Sequence, residues 1–146
     1  MAIGNRLVFR VTADAPITNV TLTDVPGLTT SLAANQIAHC RFFLPFSVGA
    51  AGGLKFQIII PAAPGNIVTG IYIFDTVTPA VISGQQTSST SFANALAVAG
   101  THLLCIETDV VNGVNAGVLK LQTAQNSNNA TPFTLLKGGW MEVTKL

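Results

Sequence analysis

The chain has 146 residues, about one domain, of which 49% are apolar and only 9% charged, against about 25% charged in an ordinary soluble domain. Net charge is +1, and the seven basic residues are scattered from Arg6 to Lys145, which leaves no basic patch for nucleic acid or an anionic membrane. With so few charges, either Ser, Thr, Asn and Gln supply the wet surface or part of the outside packs against copies and partners, so an obligate oligomer or assembly component is expected.

Residues 1–5 read as a short N-terminal arm and 6–146 as a single β domain; the opening MAIGNRLVFRVTAD has no basic leader, apolar core and cleavage site. Leu7, Phe9 and Val11 alternate with Arg10 and Thr12 as a strand does, and Ile17–Leu22 is a shorter, less regular run. Pro26-Gly27 reads as a turn before a long strand, Ile37–Val48, which contains the more continuous FFLPF. After Gly52-Gly53, Leu54–Ile58 alternates cleanly and enters Ile59-Ile60; Pro61 breaks this run well short of a membrane span. Pro64-Gly65 precedes Ile67–Phe74, where Ile71 and Ile73 share one face and Tyr72 and Phe74 the other. Gln85–Ser91 reads as a loop, and Phe92–Ala97 as a short helix or a strand approaching Gly100. His102–Val111, Val118–Thr123, Thr131–Leu136 and Trp140–Val143 complete the series, with turns at Asn112-Gly113 and Gly138-Gly139. Eight to ten short strands with Gly, Pro and Asn between them specify an all-β sandwich or barrel.

Catalysis needs poised groups, and few are offered. Glu107 and Asp109 share a strand face about 7 Å apart, which suits two solvent-facing carboxylates; a cleft joining them to a histidine would be the first sign of an active site. His39-Cys40 and His102 with Cys105 lack the paired spacing of a zinc site, and both cysteines read as free, buried thiols of a chain made in a reducing compartment. No phosphate loop, nucleophile elbow or H-E-x-x-H is present, so neither an enzyme nor a cofactor is expected. Asn19-Val20-Thr21 and Asn129-Ala130-Thr131 match the glycan acceptor pattern and, without a leader, are read as unused. Trp140 and Tyr72 each pair a flat apolar face with a polar handle, which suits a saccharide platform or a subunit contact. The amide-rich Gln122–Asn129 has no acidic or histidine partner nearby. It reads as a strand ending near Gln125 and an Asn/Ser turn before a return strand, with Pro132 at an edge, a strand start or a bulge. Gln122, on the same face as Ala124, is expected to hydrogen-bond within the sheet or across a subunit seam.

The order NGVNAGVLKLQTAQN (Asn112–Asn126) then LKGGWMEV (Leu136–Val143), preceded by FFLPF, by Gly52-Gly53-Leu54-Lys55-Phe56 and by Pro61, resembles a C-terminal β-domain of tailed-phage virion proteins. Such domains occur in fibre, head-decoration and tail-tip proteins, and the resemblance spans Ile37 to Val143. It implies a jelly-roll-like or TNF-like antiparallel sandwich, usually trimeric, displayed on a virion made in the host cytoplasm. Ala116-Gly117 matches a turn, Gln122, Ala124 and Gln125 a strand end, and Gly138 and Met141 the start of the closing strand; the family supplies no catalytic residues. The chain departs from long fibres in being nearly all domain. The implied role is therefore a homotrimeric capsid decoration, cement or short spike protein whose partners are itself and the major capsid protein or other virion proteins. The alternative is a carbohydrate- or receptor-binding module that takes a host surface glycan. Trp140, Tyr72, Gln122 and Gln125 are the candidate ligand or interface residues for either.

Overall fold

The computed structural model describes residues 4–49, 53–61, 67–74, 80–86, 91–94 and 99–146; within 67–74, 80–86 and 91–94 it describes the backbone alone. Among these residues lie β1 (Asn5–Arg10), β2 (Ala15–Ile17), β3 (Thr23–Leu32), β4 (Ile37–Val48), β5 (Leu54–Ile59) and β6 (Ile67–Phe74). They are followed by β7 (Ala80–Gln86), β8 (Ser91–Asn94), β9 (Gly100–Val111), β10 (Gly117–Gln125), β11 (Phe133–Leu135) and β12 (Trp140–Lys145). Three of the twelve, β2, β8 and β11, have only three or four residues, so the nine longer strands agree with the expected eight to ten.

The pairing is that of one long hairpin rolled up on itself. β1 pairs β12, β3 pairs β10, β4 pairs β9 and β5 pairs β8, all antiparallel and each pair nested inside the one before. Rolling brings β12 beside β4 and β5 beside β10, which gives a large sheet containing β1-β12-β4-β9 and a small sheet β3-β10-β5-β8. That order is an antiparallel jelly roll. The β6–β7 hairpin enters between β5 and β8 and extends the large sheet beyond β9, while β11 pairs both β2 and β4.

Alternation explains why the sheets face each other. In β4 the even positions Ala38, Cys40, Phe42, Leu44, Phe46 and Val48 are buried, while the odd ones point outward. They meet Leu54, Phe56 and Ile58 of β5 and Leu119 and Leu121 of β10 in one core. Phe46 lies at its centre, with ring centroids 5.2 Å from Phe133 and 5.4 Å from the buried His102.

Several sequence expectations change. Pro26-Gly27 is no turn between strands but lies within β3, the edge of the small sheet, where a proline forfeits no ladder hydrogen bond. Gly27 takes φ 81°, and the β3–β10 register shifts between Lys120 and Gln122, so the pair carries a bulge there. The Ile17–Leu22 run contributes only Ile17, to the short β2. β7 extends to Gln86 into what read as loop, and Ser91–Asn94 is strand; residues 95–97 and Pro64-Gly65 lie outside the described residues. The turn at Asn112-Gly113 is where it was expected, between β9 and β10, and it joins strands of different sheets. The Asn112 side chain secures that crossover, donating to the carbonyls of Ala33 at 2.6 Å and Asn115 at 2.9 Å.

Phe46→Ala should lower stability by about 3–5 kcal/mol in urea unfolding, since it removes a central ring from a close-packed core. A loss below about 1 kcal/mol would show that the even face of β4 is not the core.

Candidate binding face

The outward positions of the large sheet fall into rows, because directly paired residues of antiparallel strands share a face. One row runs Arg10–Trp140–Phe43–Cys105 across β1, β12, β4 and β9, and the backbone of Tyr72 continues it opposite Cys105. Two of the residues singled out from the sequence thus share one line across the sheet, although the Tyr72 side chain lies outside the described residues. The Trp140 and Phe43 rings stack at 5.6 Å, 10° from parallel, and Phe43 remains 38% exposed. Neither Phe43 nor Arg10 stood out in the sequence, because their partnership with Trp140 depends on cross-strand register.

The next two rows carry charges of alternating sign: Val8–Glu142–Arg41–Glu107, then Arg6–Thr144–His39–Asp109. Arg6 pairs with Glu142, and Arg41 approaches Glu107 at 3.7 Å. Beyond them Ile37 and Val111, both exposed, form an apolar row with Leu146, whose N–H donates to the Ile37 carbonyl. Two shallow depressions flank the indole. One of about 310 Å3 lies towards Phe43, Cys105, Arg41 and Glu107. The other, of about 140 Å3, lies between Trp140 and Val8, with Arg6, Arg10 and Glu142 around it.

His39 joins Glu107 and Asp109, with Nε2 3.3 Å from the first and Nδ1 2.6 Å from the second. This is the histidine–carboxylate grouping whose appearance in a cleft would have signalled an enzyme. It lies instead on an open sheet face, with the Glu107 and Asp109 side chains 50% and 64% exposed. Each imidazole nitrogen faces a carboxylate. Among the described residues, no group of three or more His, Cys, Asp or Glu is placed to hold a metal. Cys40 and Cys105 cannot bridge, because they lie on opposite faces of the large sheet. Burial, with a smaller contribution from the Asp109 charge, pushes the Cys40 thiol up to about 12, and burial also raises that of Cys105, so neither is an activated nucleophile.

The amide stretch divides into two roles. Gln125 is fully buried, and its Nε2 donates to the Thr131 carbonyl at 2.7 Å while its Oε1 accepts from the Asn129 N–H at 3.2 Å. Asn129 Oδ1 then accepts from the Thr131 N–H at 2.9 Å, so the loop is held by its own amides. Gln125 organises that turn and offers no free group to a ligand. Gln122 lies on the outer face of the small sheet, where its Nε2 donates to Asp24 Oδ1 at 2.6 Å across the β10–β3 pair. Lys120 Nζ donates to the other oxygen at 2.8 Å. Hydrogen bonds from Lys120 first and Gln122 second hold the Asp24 carboxyl below its ordinary value. A lowered folded pKa contributes stability that is present above the unfolded value and lost as pH falls through the folded one. Acid unfolding of Asp24→Asn should therefore lack part of the wild-type loss of stability below about pH 4. Identical acid profiles for the two proteins would show that this cluster does not contribute.

No protein-family model matches the chain, and no curated protein matches it by sequence. Among solved structures, that of the infectious bursal disease virus Gx strain aligns over 97% of this chain and 37% of its own, at 9% identity and a TM-score of 0.34. The VP2 subviral particle of infectious bursal disease virus aligns over 96% and 40%, at 10% identity and a TM-score of 0.24. The Gt strain structure aligns over 97% and 41%, at 11% identity and a TM-score of 0.22. The chain spans about two-fifths of the length of the structures it matches. At these scores the likeness carries no argument, and the jelly-roll assignment rests on the strand pairing itself.

Proposed function

We propose that this chain is a virion structural protein, a homotrimer that decorates or cements a capsid or forms a short spike, and that it works by binding alone. Three observations support the reading: the jelly-roll strand order, a fold used by capsid proteins among others; the resemblance of Ile37–Val143 to tailed-phage virion domains; and the sparse charge. The observation that carries it is the outer face of the large sheet, where an apolar row of Ile37, Val111 and Leu146 is left exposed on a surface of 7092 Å2 that holds only thirteen charged side chains. Burying that row against a sister subunit removes apolar area from water, and the Ser, Thr, Asn and Gln around it supply rim hydrogen bonds. Light scattering at micromolar concentration is expected to give a trimer, Val111→Asp a smaller species, and co-sedimentation the retention of wild-type protein on capsids. A wild-type monomer that does not bind capsids would overturn the proposal.

The Trp140–Phe43 stack favours a second reading, a saccharide-binding module. Six residues of β4, roughly 20 Å, separate Phe43 from Ile37, so a ligand at the aromatic row and a subunit at the apolar row do not compete. Saturable binding on a glycan array, lost in Trp140→Ala with an unchanged circular dichroism spectrum, is expected. An array with no signal would remove this reading.

A further inference from the structure

We propose that the depression between Val8 and Trp140 is a site for a carboxylated pyranose, with the sugar ring on the free face of the indole and its carboxylate on Arg10. The inference rests on the saccharide reading of Trp140 and adds the charge of the ligand.

Phe43 covers one face of the indole, so a ring can stack only on the side towards β1, where the depression of about 140 Å3 lies. Its far wall is Val8, 46% exposed, an apolar surface for the C–H face of a sugar edge. The polar groups on its rim are not equivalent. Arg6 and Glu142 neutralise each other, and the Glu142 side chain is only 16% exposed. The side chain of Arg10, directly opposite Trp140 in the β1–β12 register, makes no ion pair or hydrogen bond among the described residues. The depression therefore carries one uncompensated guanidinium beside an aromatic plate. A guanidinium fork matches a carboxylate in two-point geometry, and the indole N–H, also without a partner among the described residues, can donate to a hydroxyl. A neutral sugar would leave the Arg10 charge unanswered, whereas an anion with an apolar ring face meets both features.

The test titrates full-length protein with N-acetylneuraminic acid and glucuronic acid, each against its methyl ester, which keeps the ring and removes the charge. Both acids should bind about tenfold more tightly than their esters at low salt, with the gap narrowing as salt is raised. Arg10→Gln should abolish the gap, while Lys137→Gln, a change at an exposed lysine elsewhere, should leave it intact. If acid and ester bind alike, or the preference survives Arg10→Gln, the carboxylate assignment is wrong although the saccharide reading stands. If no sugar binds at all, both fall. A preference for only one acid supports the site and identifies which carboxylated ring it takes.

Discussion

The register between β4 and β9 is the constraint on which the other surfaces depend. Twelve residue pairs, from Ile37 with Val111 to Val48 with Gly100, hold the two strands together at the middle of the large sheet. Because side chains alternate with a period of two, this ladder decides which half of each strand meets the core. A slip of β4 by one residue would turn Arg41 into the interior and expel Phe42, Leu44 and Phe46, and a slip of β9 would do the same with Glu107 and Asp109. Such an inversion would bury charges whose partners had moved, at several kcal/mol for each charge, a large part of the net stability of an ordinary domain. The aromatic row, the charged rows and the apolar row are therefore set by core packing on the opposite side of the same strands. Cys40 and Cys105 illustrate the coupling: even and odd numbering in one ladder separates them onto opposite faces more firmly than distance along the chain.

How much was legible in the sequence follows from what each element depends on. β5 and β12 alternate in their own residues, and β4 and β9 are long apolar-rich runs bounded by turn residues, so all four can be read without knowledge of their neighbours. β3 could not, because Pro26 and Gly27 carry turn chemistry and are tolerated only at an edge position that the sequence does not announce. Its neighbour β10 is legible, and so is the turn at Asn112-Gly113 before it; that this turn crosses to the other sheet is not, since an Asn-Gly pair looks the same whether the chain returns or crosses. β7 was missed because Ser83, Gly84, Gln85 and Gln86 give no apolar period. At the candidate face Trp140 was visible as a residue type, whereas Phe43 and Arg10 became relevant only once register placed them on either side of it. Gln122 and Gln125 looked alike as amides. Burial separates them into a surface bridge to Asp24 and a buried loop staple.

The arrangement of charge bears on function more than its amount. Arg6, Arg41, Glu107, Asp109 and Glu142, with His39, are placed so that each meets an opposite or hydrogen-bonding neighbour on its own sheet. Pairs as exposed as these add little to stability. Their effect is to leave the middle of the face close to neutral, between the apolar row at one end and the aromatic row at the other.

The proline and the bulge in β3 have a consequence for growth of the structure as a material. An open strand edge invites another chain to zip on and extend the sheet without limit, the route to fibrils. At Pro26 the outer edge of the small sheet lacks a donor, and at Gly27 its line bends. Growth of the small sheet by strand addition is discouraged along that side, which leaves its faces and not this edge as the surfaces open to contact.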